Sequence, residues 1–353
     1  MSVIFSGTGR FIPNEVIGAE KFAKHEFYNV DGTKIASAND TIIQKFKAIT
    51  DIEFRRYVTD NQNTSDIGTI AAEIALSDAG IDPETLDGII FAHNYGDVKA
   101  GQIQSDTVPS LAARVKHNLQ IKNPSCVAFD LLFGCPGWIQ GVIVASQFLQ
   151  NGASKKYMVV GAETLSRVSD PHDRDAMIYS DGAAAAVLES STETERGILS
   201  MSSRSYTHEE AYFLYFGESN KEGHNPDTRY IKMHGRKIYE FALNFVPMAM
   251  KECLDKSGIS IHEVKKVFLH QANGKMDDAI IDRFYKLYKT TMPQGIMPMT
   301  VHFLGNSSVA TVPTLFDMVR RGGYENHELN KGDVVIFASV GAGMNINAIT
   351  YRV

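Results

Sequence analysis

Ala71-Ala-Glu-Ile-Ala-Leu-Ser-Asp-Ala-Gly-Ile-Asp-Pro-Glu-Thr-Leu-Asp-Gly-Ile-Ile-Phe91 returns later in the chain as Ala249-Met-Lys-Glu-Cys-Leu-Asp-Lys-Ser-Gly-Ile-Ser-Ile-His-Glu-Val-Lys-Lys-Val-Phe-Leu269. At a constant offset, Ala71, Leu76, Gly80 and Ile81 recur as Ala249, Leu254, Gly258 and Ile259. The apolar positions Leu86, Ile89, Ile90 and Phe91 recur as Val264, Val267, Phe268 and Leu269. Each copy reads as an amphipathic helix, a glycine past its end, a short connection and a buried strand. An internal repeat of this kind decides the architecture before any single residue does.

A second pair extends the repeat. Leu132 to Gly152 aligns without gaps on Phe303 to Gly323, placing Gly134 on Gly305 and Gly152 on Gly323. Trp138, Val144 and Phe148 then match Val309, Leu315 and Val319, and Cys135 matches Asn306. In both copies a strand-like run breaks at glycine and leads into a helix. The strand-like segments Tyr157–Val160 and Val334–Phe337 follow. The pattern predicts an α/β protein of two related halves, with largely parallel sheets packed between helices. The halves meet near 190–230, where Glu189–Arg196 is polar and turn-rich, and the division is drawn as 1–195 and 196–353. Gly217–Asp227 and Asn29–Asn39 have loop composition and read as surface excursions.

Composition narrows the function classes. A chain of 353 residues with 44% hydrophobic and 22% charged residues has enough material for a large core. Its net charge of −6 argues against a general nucleic-acid binder. Cys126, Cys135 and Cys253 show no C-x-x-C spacing, which speaks against a disulfide framework or a zinc site and for a reducing, cytoplasmic setting. No apolar run approaches the roughly 20 residues that span a bilayer, and the N-terminal stretch does not read as a signal peptide.

Three polar clusters fall at strand-to-loop edges, where α/β folds build sites. The first is Cys135 in Asp130-Leu-Leu-Phe-Gly-Cys-Pro-Gly-Trp138. Pro136 suits the first helical position, so Cys135 is expected at a helix N-terminus, where unpaired N–H groups and the helix dipole favour its thiolate. The second is His270 in Leu269-His-Gln-Ala-Asn273, and the third is Asn306 in Leu304-Gly-Asn-Ser-Ser308. Singly, each has an ordinary structural reading: a buried cysteine, a satisfied histidine, a helix cap. Together they form a Cys/His/Asn set, and the repeat brings the helix starts that carry Cys135 and Asn306 together. A thiolate exchanges readily with a thioester, while neutral imidazole and a carboxamide NH₂ can both donate to an enolate oxygen. The turn Val340-Gly-Ala-Gly-Met344 can supply backbone N–H groups for a second oxyanion. As a dinucleotide fingerprint it is weak, because Asn345–Tyr351 reads as a strand.

The chain resembles the thiolase-fold condensing enzymes, and within them the 3-oxoacyl-acyl carrier protein synthase III family. The resemblance rests on Phe129–Gly137, His270–Asn273 and Gly305–Ser308, with weaker matches at Gly161–Arg167, Asp173-Arg174, Ser180–Ala183, Met233–Arg236 and Gly341–Gly343. It implies a five-layered αβαβα sandwich of two pseudo-symmetric halves, a homodimer, and no cofactor beyond acyl-coenzyme A or acyl-carrier-protein thioesters. It further implies that Cys135 accepts the acyl group and that His270 and Asn306 support decarboxylation of a malonyl thioester. Backbone N–H groups of Cys135 and Ala342 would form the oxyanion hole. Gln271, Ala272, Asn273, Gly274 and Lys275 match the carrier-protein segment, with Lys275 where an arginine is usual. Arg283, Lys286 and Lys289, read as lying on the following helix, add a basic patch for an acidic carrier, or else form a solvated helix face.

The same comparison separates relatives. Thiolases carry a second cysteine near the C-terminus, and Val340–Met344 has none; elongating synthases use two histidines, where this chain has Asn306. Plant-type polyketide synthases share the Cys/His/Asn set and stay open. So do an acyltransferase passing its acyl group to an alcohol or amine, and a non-catalytic partner subunit. The segment Lys45-Phe-Lys-Ala-Ile-Thr-Asp-Ile52 lacks the family's coenzyme A-gripping tryptophan and arginine, and Trp138 is the only tryptophan of the chain. That departure points to a specialised acyl donor delivered on a carrier protein.

Overall fold

The computed structural model describes residues 2–193, 195–322 and 324–353. Gly323, the expected counterpart of Gly152, lies outside the described residues. In the first half, β1 (Ser2–Phe11), β2 (Gly88–His93), β3 (Val127–Leu132), β4 (Lys156–Thr164) and β5 (Asp181–Ser191) form one sheet in the order β1-β5-β4-β2-β3. In the second half, β6 (Gly197–Ser205) is followed by a separate hairpin of β7 (Leu214–Gly217) and β8 (Tyr230–Met233). Then β9 (Val264–Leu269), β10 (Val334–Gly341) and β11 (Asn345–Arg352) complete a second sheet in the order β6-β11-β10-β9.

The sheets are mixed rather than largely parallel. Pairing is parallel between β4, β2 and β3 and between β9 and β10, and antiparallel elsewhere. The reason is in the connections. A parallel pair needs a long crossover, whereas β10 turns directly into β11 through three residues.

Helices complete the layers. α1 (Thr64–Ala79) and α2 (Leu111–Asn118) share a buried apolar cluster with the outer face of the first sheet. α4 (Gly235–Ser257) and α5 (Gly274–Lys286) do the same for the second. Between the sheets lie α3 (Gly137–Gln150) and α6 (Thr311–Arg320), buried on nearly every side as a middle layer demands. The Trp138 ring on α3 sits 5.8 Å from Phe5 of the first sheet and 6.0 Å from Phe337 of the second, so one side chain packs on both. The result is the five-layered αβαβα sandwich of a thiolase-like fold.

The repeat seen in the sequence is real in space. α1 and α4 end at Gly80 and Gly258, both left-handed (φ 63° and 72°), and each is followed by one short 3₁₀ turn and a buried strand. The second repeat pair diverges. Val301–Leu304, expected as a strand by analogy with β3, is a single helical turn. Gln271 explains this: its Oε1 accepts from the N–H groups of Thr300 and Val301 at 2.8 and 3.1 Å and caps the turn.

Both excursions lie largely on the surface, and the later one, Gly217–Asp227, is tied to the segment just before the earlier one. Asn220 Nδ2 donates to Tyr28 O at 3.0 Å, and Lys221 pairs with Glu26 at 2.8 Å. Beneath them the buried Lys232 of β8 pairs with Asp170 and Asp173 at 2.5 and 3.0 Å and donates to Asn220 Oδ1 at 2.9 Å. This ionic knot fastens the β7–β8 hairpin over the site.

Candidate active site

β3 delivers Cys135 to the site. The strand ends at Leu132, the chain breaks at Gly134, and α3 begins at Gly137. Pro136 is the cap residue, one place earlier than expected, and its carbonyl accepts the first helical bond from Gln140 N at 2.9 Å. From the other half, the turn between β10 and β11 closes on this segment. A Cβ on Gly134 would stand 2.6 Å from Ala342 N, and one on Gly341 would stand 2.6 Å from Cys135 N. Only glycine at both places lets the two backbones meet.

His270 leaves the end of β9 with its own N–H on Ala338 O at 2.9 Å. Asn306 follows Gly305, whose φ of 67° suits glycine, and its backbone is pinned between Ile178 O and Ser180 N. Its side-chain Oδ1 accepts from Ser308 N at 2.8 Å. That bond fixes the amide, so the NH₂ end is the one left for the cavity. Cys135, His270, Asn306 and Ala342 all line one cavity of about 420 Å³, closed mainly by apolar side chains such as Leu165, Ile178, Phe216, Met233 and Met276. The volume and apolar lining suit an organic ligand with an apolar part.

Burial sets the charges here. Loss of solvent lowers the His270 pKa to about 4, so the imidazole is neutral at physiological pH. Among the described residues its Nδ1 has no hydrogen-bond partner. Burial also pushes the Cys135 thiol up to about 11, with the nearby Glu163 adding to the rise and a Ser308 hydrogen bond opposing it. Burial thus opposes the expected bias to thiolate.

Five further residues belong to the site and were not singled out by sequence. Ser308 Oγ donates to Cys135 Sγ at 3.5 Å and accepts from Asn94 Nδ2 at 3.2 Å. Glu163 Oε1 receives both the N and Nδ2 of Asn94, at 2.7 and 2.5 Å. Phe216 of the hairpin stacks on Tyr95 with ring centres 4.7 Å apart and forms part of the cavity wall. Ser308 and Glu163 lay inside the quoted motifs Gly305–Ser308 and Gly161–Arg167, so a signal existed for them; nothing in sequence aimed the hairpin at the thiol.

The carrier-protein segment is corrected in part. Gln271 is fully buried and spends its amide on Pro298 O, Thr300 N and Val301 N, so it cannot meet a partner. Gly274 is buried against Asp51, Asn273 caps α5 through Met276 N, and Ala272 lines the cavity. Lys275 alone is exposed. In the basic patch Arg283 donates to Leu243 O and Asn244, Lys286 pairs with Asp282, and Lys289 lies beyond the end of α5 rather than on it.

Fold and site together define an acyl-transferring condensing enzyme of the thiolase type. The models of 3-oxoacyl-[acyl-carrier-protein] synthase III match residues 129–207 and, for its C-terminal part, 254–353. The chain is 32% identical to beta-ketoacyl-[acyl-carrier-protein] synthase III of Clostridium tetani, over 96% of this chain and 94% of that one. It is 31% identical to synthase III 1 of Vibrio vulnificus over 98% of each. The crystal structure of 3-oxoacyl-[acyl-carrier-protein] synthase III from Aquifex aeolicus superposes with a TM-score of 0.80 at 25% identity, covering 99% of this chain and 100% of that one. The chain belongs to the 3-oxoacyl-[acyl-carrier-protein] synthase III family.

Proposed function

We propose that the chain joins an acyl group to a two-carbon unit from malonyl-acyl carrier protein, with carbon dioxide leaving. Cys135 takes the acyl group from its donor thioester, and the N–H groups of Cys135 and Ala342 hold the acyl oxygen. The malonyl thioester then enters, and His270 and the Asn306 NH₂ donate to its carbonyl oxygen as decarboxylation turns it into an enolate. The enolate carbon attacks acyl-Cys135, the sulfur leaves, and a 3-oxoacyl thioester is released. The observation that carries this is the pair of neutral donors: an amide locked by Ser308 N–H and an imidazole held uncharged by burial. A charged histidine would bind malonate's carboxylate and oppose its loss.

An acidic carrier protein is the expected partner, delivering the donor as well as the malonyl group. Exposed Lys275, Arg236 and Lys237 at the starts of α5 and α4 support this, since Ile238 and Met276, next along those helices, line the cavity. A homodimer is proposed on the open edge of the first sheet. β3 pairs on one side only, and Val127 and Leu132 are 58% and 72% exposed. An exposed apolar edge strand calls for cover, and a second copy supplies it; light scattering showing a monomer at micromolar concentration would reject it. Three free cysteines fit a cytoplasmic setting. No helix among the described residues is long and apolar enough to cross a membrane.

The test is intact-protein mass spectrometry after exposure to a panel of acyl thioesters, on coenzyme A and on carrier protein, with Cys135→Ala as control. An acyl adduct is expected on the parent only. Adding malonyl carrier protein should discharge it with carbon dioxide and a 3-oxoacyl product. Discharge to an added alcohol or amine without carbon dioxide would overturn condensation, and so would the absence of any adduct.

A further inference from the structure

Ser308 occupies an unusual position. Its φ is +53°, the left-handed region that non-glycine residues enter at a cost, and it is almost fully buried. That conformation does two things at once. Its N–H holds Asn306 Oδ1, and its side chain reaches the nucleophile from the opposite half of the chain.

The direction of its hydroxyl is settled by chemistry. An amide NH₂ only donates, so the bond between Asn94 Nδ2 and Ser308 Oγ uses a lone pair of the serine oxygen. The Asn94 amide cannot turn over, because Glu163 Oε1 takes one Nδ2 hydrogen and the Asn94 backbone N–H. The serine's single hydrogen is thus directed to Cys135 Sγ. Glu163 is itself 1% exposed, so this orienting chain is anchored at a buried carboxyl, while Asn94 is half-buried and lines the cavity.

We propose that Ser308 is a further catalytic residue, a hydrogen-bond donor to the Cys135 sulfur in its thiolate form, with Asn94 and Glu163 as positioning residues that hold the donor in that sense. The proposal rests on the acyl-cysteine reading above. In loading, the Sγ–acyl carbon bond forms, the bond from that carbon to the donor's sulfur breaks, and the proton given up by Cys135 ends on the departing thiol. Charge passes from one sulfur to another, and a donor fixed on Sγ stabilises it at the start of loading and again when Sγ leaves after condensation.

The test reads the thiol directly. Iodoacetamide alkylation of Cys135 is followed by intact mass across pH 7–9.5 in the parent, Ser308→Ala, Ser308→Gly, Asn94→Ala and the Asn94→Ala/Ser308→Ala double variant, with Cys135→Ala as blank. Losing one hydrogen bond to a charged group is worth about tenfold in thiolate fraction, partly offset by the higher nucleophilicity of a more basic thiolate. Both serine variants should therefore react about threefold to tenfold more slowly at each pH. Glycine suits φ +53°, so agreement between Ala and Gly assigns the loss to the hydroxyl rather than to the backbone. Asn94→Ala should slow alkylation in the same direction, and the double variant should be no slower than Ser308→Ala alone. Parent-like rates in both serine variants, or additive losses in the double variant, would overturn the proposal. Alkylation needs no acyl donor, so a parent that never loads an acyl group would reject the condensation reading without touching this measurement.

Discussion

Gly134 and Ala342, more than 200 residues apart in the chain, lie so close that a methyl group on the first would sit 2.6 Å from the backbone nitrogen of the second. Gly341 makes the reciprocal approach to Cys135 N. Because the atom it would meet is backbone, Gly341→Ala must push the two segments apart. Acyl loading should fall about a hundredfold or more, the cost of disabling an oxyanion hole, with the melting temperature changed far less. Rapid-quench measurement of the loading rate checks this, and parent-like loading would remove Ala342 from the oxyanion site.

Asn306→Asp keeps an oxygen for Ser308 N–H and replaces the donor NH₂ with a second acceptor. Acyl loading on Cys135 should persist, whereas decarboxylation of malonyl carrier protein should drop by about 10²–10³. Release of labelled carbon dioxide separates the two steps. Equal loss in both would show that the asparagine supports the fold of the site rather than the enolate.

His270 also predicts a pH effect on stability. Its folded-state pKa of about 4 lies below the ordinary 6.5, so between those values the unfolded chain binds more protons and stability rises with pH. At 1.36 kcal/mol per pH unit the gap amounts to about 3 kcal/mol. Glu163, raised to about 7 by burial, opposes this: between about 4.5 and 7 the folded state binds more protons and stability falls with pH. In urea melts, His270→Gln should lose the first effect and keep the second, so its advantage over the parent should shrink steadily from pH 4 to 6.5. Parallel curves would refute the assignment.

Lys232→Met should do more than remove a charge. Asp170 and Asp173 would be left facing each other under the hairpin, and breaking such a buried cluster costs about 3–5 kcal/mol. Thermal melts should show the loss, and the Michaelis constant for the acyl donor should rise because β8 carries cavity residues Ile231 and Met233. A stable variant with an unchanged constant would mean that the knot does not hold the roof.

Phe216→Ala removes the ring stacked on Tyr95 and enlarges the cavity at a wall that is 44% exposed. At about 0.8 kcal/mol per buried methylene, a donor longer by two carbons should gain roughly tenfold in relative loading. Competition between paired donors, read by mass spectrometry, measures the ratio. An unchanged ratio would place the chain terminus elsewhere in the cavity.

Much of this was readable from residue order, and the limits have physical causes. The glycine-ended helices at Gly80 and Gly258 and the strands after them are local patterns, and they appear where expected. Cys135, His270 and Asn306 sit at ends of such elements, so the repeat could place them together. Local pattern failed where a distant group intervened. Val301–Leu304 has strand-like residues, yet Gln271 caps it into a helix. Phe148, matched to the fully buried Val319, is 40% exposed and stacks on Tyr157 instead. For the thiol, the helix terminus is visible in sequence, whereas the burial that opposes it is not. Ser308, Asn94 and Glu163 meet only through tertiary folding, and no spacing rule links them.

The order in which the site's pieces occur along the chain has a consequence for biosynthesis. In the proposed mechanism the nucleophile is residue 135 and the turn that would complete its oxyanion hole lies at 341–342, after which β11 inserts between β6 and β10. A ribosome-bound chain that has not yet exposed these last segments holds a cysteine without the groups that stabilise its transition states. Its second sheet is also still missing an interior strand. On that mechanism, reactivity towards thioesters would wait until translation has passed the β10–β11 turn.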